Sequence, residues 1–260
     1  MELDEAHISK AIIESFFKRL SGSLELEVAI CGGGPAGLTA AYYLAKKGIK
    51  VGVFEKNLSV GGGMWGGGMR FNEIVVQEEG KKILEELGVN FLEYSKNYYT
   101  ASSVEAVSTT CSKVVKAGAT IFNCVSVEDV ILKEGKVCGI VVNWTPVEIA
   151  RLHVDPIAIK SKYVIEATGH QLEVLKVIEK KCGGRMFTET GKIMWEKSMD
   201  AGKGEKDCVE FTKEVFPNVY VTGMAANAAF GRPRMGPIFG GMLLSGKKVA
   251  ELLIEKLGKK

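Results

Sequence analysis

The N-terminal part of the chain alternates between apolar runs and one glycine-rich turn. Apolar residues three and four positions apart over residues 5–20 predict an amphipathic helix. The apolar runs at 24–32 and 50–56 predict strands, and residues 35–48 between them predict a helix. A strand, a glycine turn, a helix and a second strand in about 30 residues form the βαβ unit that binds a mononucleotide.

The rest of the chain continues this alternation of strands and helices. Residues 61–68 are too rich in glycine for a helix or strand and predict a loop. Short apolar runs around a Glu134–Gly135 turn predict a small β-meander inserted at about 119–143, and the polar stretch 188–207 predicts a mobile loop. Further predicted strands are 162–170 and 218–224, and further predicted helices are 77–88, 102–117, 171–181 and 240–257. Residues 1–260 therefore predict a single Rossmann-like α/β domain.

The turn Gly32-x-Gly34-x-x-Gly37 lies between a predicted strand and a predicted helix, as a dinucleotide site requires. The first glycine permits the tight turn, the second lets the backbone approach a pyrophosphate, and the third lets helix and strand pack closely. Glu55 ends the next strand, where an acid accepts hydrogen bonds from an adenosine ribose. The alternative is a glycine turn without a ligand. We assign to this site Gly32, Gly34, Ala36, Gly37, Glu55 and Lys56.

Composition excludes several classes of function. Hydrophobic residues make up 46% of the chain, charged residues 25%, and the net charge is +3, which gives no electrostatic reason to expect nucleic acid or a membrane surface as partner. The first residues are acidic rather than basic, and no apolar run approaches a membrane span, so we expect a cytoplasmic protein. The six cysteines include no CxxC pair, and we expect them to be reduced.

Three segments resemble the FAD-binding, glutathione-reductase-type proteins: the turn at residues 32–37 with its flanking strands, the Ala167-Thr168-Gly169 turn, and the strand ending at Gly223. Flavoproteins of that group usually follow this last glycine with an aspartate that binds the ribitol. Here Met224 occupies the position, which argues against an ordinary FAD site. An FAD-dependent oxidoreductase with an unusual ribitol contact remains the alternative function.

More specific motifs resemble the thiazole synthases of thiamine biosynthesis over nearly the whole chain. They are the glycine loop SVGGGMWGGGMRFNEIVV at 59–76, RLHVDP at 151–156, ATGH at 167–170 and PRMGPIFGGMLLSGKKVAE at 233–251. The resemblance implies an enzyme that consumes NAD as a substrate and releases nicotinamide. It then condenses the remaining fragment with glycine and adds sulfur to give an adenylated thiazole carboxylate. It also implies a homo-oligomer, an octamer in this family.

The family that this chain resembles has two types, which differ in the source of the sulfur. Some members donate it from their own cysteine, in a Cys-Met-Asp-Pro-like segment, and are therefore limited to one turnover. The corresponding segment of this chain is His153-Val154-Asp155-Pro156. The chain therefore resembles the archaeal type, which takes sulfur from free sulfide and turns over repeatedly with Fe(II). His153 either lines the sulfide path, contacts the NAD-derived ligand or fills the space of the absent cysteine.

By the same resemblance, Asp155 and His170 are the Fe(II) ligands and act in catalysis together with His153. His170 ends a predicted strand, the edge where open α/β sheets place ligands, and Asp155 precedes a proline that favours extended backbone. Asp155 reaches the metal of a neighbouring protomer in this interpretation. The alternatives are a structural histidine and a turn aspartate.

The resemblance assigns Arg234 to the glycine carboxylate, by a bidentate charge-assisted contact. The alternative is that Arg234 is a surface arginine, and the neighbouring Arg232 is the one without a role. Gly63, Val127 and Met224 are assigned to the NAD-derived ligand, although a valine and a methionine are also ordinary core residues. A third hypothesis is a dinucleotide-sensing module without catalysis.

Overall fold

A computed structural model describes residues 3–259 as a sheet covered by helices on both faces. The strands are β1 (Glu25–Cys31), β2 (Val51–Glu55), β3 (Glu73–Val76), β4 (Leu92–Ser95), β5 (Tyr98–Ser102), β6 (Thr120–Asn123), β7 (Val125–Lys133), β8 (Lys136–Trp144), β9 (Ile157–Glu166), β10 (Glu214–Phe216) and β11 (Val219–Val221). The helices are α1 (Glu5–Gly22), α2 (Pro35–Lys46), α3 (Glu78–Leu87), α4 (Ser103–Lys116), α5 (Thr145–Ala150), α6 (Glu173–Lys181), α7 (Ala201–Glu210), α8 (Met224–Ala229) and α9 (Gly240–Lys256).

Parallel strands in the order β11-β9-β1-β2-β6 form the centre of the main sheet. β2 is buried along its whole length and β1 over most of it, which fits the continuous apolar runs that parallel strands require. β1 pairs with β2 on one side, and with β9, which comes much later in the chain, on the other side. This change of direction opens a crevice at the carboxyl ends of β1 and β9. The predicted Rossmann-like, glutathione-reductase-type architecture is confirmed.

Two hydrophobic clusters lie on opposite faces of this sheet. One contains α2 and α9, which pack against each other through residues such as Leu38, Leu44 and Val249. The other contains the β7–β8 hairpin and α6, with Ile140, Ile159 and others at its centre. The molecule thus has the three layers of a doubly wound fold.

The predicted insertion at about 119–143 contains both a parallel strand and a hairpin. β6 pairs in parallel with β2 at the edge of the sheet. β7 and β8 form the antiparallel hairpin, and β8 also pairs with the first half of β9. The predicted turn is present, with positive φ at Glu134 (51°) and Gly135 (73°).

The prediction of a mobile loop over residues 188–207 is wrong for its second half, which begins helix α7. Glycines at 202 and 204 lower the intrinsic helix propensity of this segment. The side chain of Asp200 compensates by accepting a hydrogen bond from the Lys203 N–H at 3.1 Å, as an N-cap does. A second sheet, β3-β5-β4, was also not predicted.

The predicted amphipathic helix α1 is present, but every one of its residues is exposed or half-buried. The Phe16 ring of this helix contacts the rings of Phe122 and Trp144, at centroid distances of 6.2 and 5.8 Å respectively. Ile12 and Phe17 on the same helix are more than half exposed. Over residues 3–259, no helix combines the length and apolar character needed to cross a bilayer.

Candidate active site

A cavity of about 420 Å³ lies in the crevice at the carboxyl edge of the sheet. Its walls come from the segments that follow β1, β2, β9 and β11 and from the loop before α9. Ten residues predicted from the sequence line it: Gly32, Gly34, Ala36, Glu55, Lys56, Gly63, Val127, His170, Met224 and Arg234. Residues far apart in the sequence therefore meet at one site.

The glycine turn after β1 has the geometry that its motif predicts. Gly32 has φ +101°, and a Cβ there would lie 2.4 Å from the carbonyl oxygen of Ala167. A Cβ at Gly37 would lie 2.2 Å from the Gly32 carbonyl oxygen, so Gly37 permits close packing behind the cavity. Gly34 faces open space and caps α2 without any side-chain hydrogen bond, so the first turn of α2 can receive an anion.

Glu55 is buried at the end of β2 and lines the cavity. Its Oε2 accepts a hydrogen bond from the Gly33 N–H at 2.8 Å, and its Oε1 accepts from the backbone N–H and the side-chain amide of Asn57 at 2.8 and 2.7 Å. These bonds fix the carboxylate beside the glycine turn. Lys56 pairs with the first residue of α6, with its Nζ 2.5 Å from Glu173 Oε1.

His170 lies in a 3₁₀ turn, Gly169–Gln171, directly after the loop that follows β9. Its Nδ1 is 2.5 Å from Oε2 of Glu196. Because an ionised carboxylate only accepts hydrogen bonds, this contact places a proton on Nδ1. In the neutral ring, Nε2 is then unprotonated and can act as a ligand, and His170 is one of the residues that line the cavity.

The two arginines of the 232–234 turn have different environments. Arg232 donates from Nε to Oδ2 of Asp207 at 2.8 Å, and its guanidinium lies 4.4 Å from the ring centre of Phe211. Arg234 lines the cavity and has no carboxylate within salt-bridge distance in the described part of the chain. Of the two, Arg234 is therefore the residue available to a ligand carboxylate.

His153 and Asp155 do not line this cavity of their own chain. Both are exposed, in the segment 151–156 between α5 and β9. Across residues 3–259, no three side chains of histidine, cysteine, aspartate or glutamate form a group that could hold a metal ion. A single chain thus offers His170 at the cavity and keeps Asp155 on its surface.

Comparison with known proteins shows the family of the chain. The model of the Thi4 family matches residues 9–239. The chain belongs to this family, the thiamine thiazole synthases. It is 54% identical to the thiamine thiazole synthase of Methanothermobacter thermautotrophicus over 257 residues, covering 99% of this chain and 100% of the relative. It is 56% identical to that of Pyrococcus furiosus over 256 residues, covering 98% and 99%. The crystal structure of Thermovibrio ammonificans THI4 is 56% identical, with a TM-score of 0.97 and coverage of 99% and 100%.

Within this member of the Thi4 family, no cysteine among the described residues lines the cavity. Cys31 and Cys208 are buried, and burial raises the pKa of both thiols. Partial burial raises the pKa of Cys111 and Cys182 in the same direction. Because the thiolate is the reactive form of cysteine, burial makes these four thiols poor nucleophiles.

Two buried polar residues that shape the site were not predicted. Ser245 of α9 accepts a hydrogen bond from the Gly223 N–H at 2.7 Å and shares hydrogen bonds with the hydroxyls of Thr222 and Thr212 at 2.7 and 2.5 Å. Glu166, at the end of β9, accepts bonds from the backbone and hydroxyl of Thr168 at 2.8 and 2.6 Å. A lone polar residue inside an apolar run is the sequence signal for both.

Proposed function

We propose that the chain synthesises an adenylated thiazole carboxylate from NAD, glycine and sulfide, with Fe(II), and that it turns over repeatedly. The observation that carries the proposal is one cavity that combines a dinucleotide turn, a histidine and an unpaired arginine and that has no cysteine in its described lining. The family relationship supports the product class.

NAD binds with its adenosine at Glu55 and its pyrophosphate at the start of α2. The open face at Gly34 and the uncapped helix N-terminus suit a diphosphate, since a helix terminus presents unpaired N–H groups. Gly63 also faces open space, so the glycine loop approaches the ligand without side chains. Val127 and Met224 supply apolar surface in the same lining.

Arg234 binds the carboxylate of glycine and orients its amine toward the NAD-derived fragment. A guanidinium pairs with a carboxylate through two parallel hydrogen bonds, which fixes the orientation as well as the position of the substrate. Asp207 already pairs with Arg232, so Arg234 does not compete for it. After nicotinamide leaves, this orientation brings the glycine nitrogen to the sugar-derived carbon skeleton.

The donor chemistry of the site fits Fe(II). His170 has its Nδ1 bonded to a carboxylate, the arrangement that metal-bound histidines usually have. Asp155 lies on an exposed segment outside this cavity, where it would be free to join His170 at the cavity of a second copy of the chain in a homo-oligomer. When bound, Fe(II) supplies Lewis acidity and a position for sulfide.

Sulfur comes from outside the protein. His153 stands where a sulfur-donating cysteine would be required, and no cysteine among the described residues lines the cavity. Sulfide from solution leaves the polypeptide intact, which is why the chain acts as a catalyst and not as a reagent.

The test is an anaerobic incubation of the protein with NAD, glycine, Fe(II) and sodium sulfide, followed by mass spectrometry of the released small molecules. We expect more than one adenylated thiazole per chain, and none when sulfide is omitted. Asp155→Ala and His170→Ala should each abolish the product and retain NAD. Release of FAD would instead indicate an oxidoreductase, and NAD recovered intact would indicate a sensor.

A further inference from the structure

Glu196 lies outside every motif that the sequence suggested, yet it contacts the one histidine that lines the cavity. Its Oε2 lies 2.5 Å from the Nδ1 of His170, and its side chain is 25% exposed compared with 44% for the histidine. The glutamate is half-buried and the histidine is exposed, so what distinguishes this contact from an ordinary surface ion pair is the fixed backbone around Glu196.

The backbone around Glu196 is fixed on both sides. The Met194 N–H donates to the Ala229 carbonyl at 3.2 Å, and the Lys197 N–H donates to the Arg232 carbonyl at 3.0 Å. Trp195 between them has φ +59°, a left-handed conformation that is unusual for a tryptophan. This kink turns the chain immediately before Glu196, and the bonds on either side hold it there.

The same segment holds the arginine turn. The Arg234 N–H donates to the Lys197 carbonyl at 3.1 Å, and the Asp200 N–H donates to the Arg234 carbonyl at 3.0 Å. We call residues 194–200 the strap, because it runs from the partner of His170 to the backbone of Arg234. One short segment therefore sets two cavity groups that come from different parts of the sequence.

We propose that Glu196 is a positioning residue, which holds His170 with Nδ1 protonated and presents Nε2 to the metal ion. The proposal rests on the proposed function, because it assumes that His170 binds Fe(II). A carboxylate is the suitable partner because it cannot donate, so it selects one tautomer of the ring. An amide in its place can rotate and donate to Nδ1, which would put the proton on Nε2 and remove the metal ligand.

The experiment measures Fe(II) affinity by anaerobic calorimetric titration of the purified protein, without NAD or glycine. The variant is Glu196→Gln, which keeps the size of the side chain. Its matched control is Glu189→Gln, an exposed glutamate of the preceding loop that makes no side-chain hydrogen bond in the described structure. We expect Glu196→Gln to weaken Fe(II) binding roughly 10- to 100-fold, and Glu189→Gln to leave it unchanged.

Two further measurements separate positioning from a structural role. The melting temperature of the metal-free protein and the affinity for NAD should stay at wild-type values in Glu196→Gln. If either falls together with the Fe(II) affinity, Glu196 merely supports the strap and the proposal is wrong.

His170→Ala separates this inference from the proposed function. Loss of Fe(II) binding in His170→Ala together with wild-type binding in Glu196→Gln overturns the inference and leaves the metal assignment standing. Wild-type Fe(II) binding in His170→Ala removes the metal assignment itself, and the inference with it.

Discussion

Glu205 shows how one buried carboxyl makes stability depend on pH. It is only 5% exposed, its Oε1 has no hydrogen-bond partner among the described residues, and it lies against the start of α9. A Cβ at Gly241 would lie 2.9 Å from its Oε2, so bare glycine backbone makes room for it. Burial raises its pKa from 4.5 to about 7. The folded state therefore favours the protonated carboxyl.

Glu205→Gln should remove this pH dependence. In the wild type, the raised pKa stabilises the fold fully below pH 4.5, and this contribution is lost as the pH rises to about 7. Its size is about 2–3 kcal/mol. The measurement is the free energy of unfolding by denaturant at pH 4.5 and at pH 8. The loss between these two pH values should be smaller for Glu205→Gln than for the wild type. An equal loss of stability in the two proteins would show that Glu205 does not cause this pH dependence.

The two arginines near the cavity allow a matched comparison. Arg234→Gln should raise the KM for glycine roughly 100-fold by removing a charge-assisted pair, at little cost in stability. Arg232→Gln should leave the KM for glycine near the wild-type value and lower stability by about 2 kcal/mol, since Asp207 is left buried without its cation. Steady-state kinetics and denaturant unfolding check both. An exchange of these two phenotypes would reverse the assignment of the glycine site.

At the scale of elements, helix capping can be compared between two helices that differ in packing. Asp200 caps α7, which packs against α9, and Asp4 caps α1, which has no buried residue. Asp200→Ala should cost about 1 kcal/mol of global stability, the usual loss for an N-cap. Asp4→Ala should cost less, because the exposed first turn of α1 can fray without disturbing the sheet. The denaturant midpoints of both variants, measured at equal protein concentration, show which substitution lowers stability more.

Local pattern was sufficient for elements that are long or continuously apolar. The β1–α2–β2 unit and α9 follow from the apolar spacing around the glycine turn, and the site residues at strand ends follow from the topology. The β3-β5-β4 sheet was missed because its strands have four or five residues and β4 is exposed throughout. Glu196 and Ser245 were missed because their roles depend on contacts 26 and 22 residues away along the chain.

At the scale of the whole molecule, the site requires two chains if Asp155 serves a neighbouring copy. Asp155→Ala and His170→Ala should each be inactive alone, whereas oligomers assembled from both should regain activity. In a random mixture, about a quarter of the sites combine an intact His170 with an intact Asp155 from the neighbour. Thiazole formation by co-expressed variants is the measurement. Co-assembled variants that stay as inactive as the separate ones would place both ligands in one chain.

The strap also has a consequence for how the sequence can diverge. Lys197 and Asp200 hold the arginine turn through backbone groups, so the hydrogen bonds to that turn do not depend on their side chains. An insertion or deletion between Trp195 and Asp200 would move the partner of His170 and the backbone of Arg234 together. Apart from Glu196, Trp195 and the capping Asp200, the side chains of this segment can therefore vary, while its length is constrained by two sites at once.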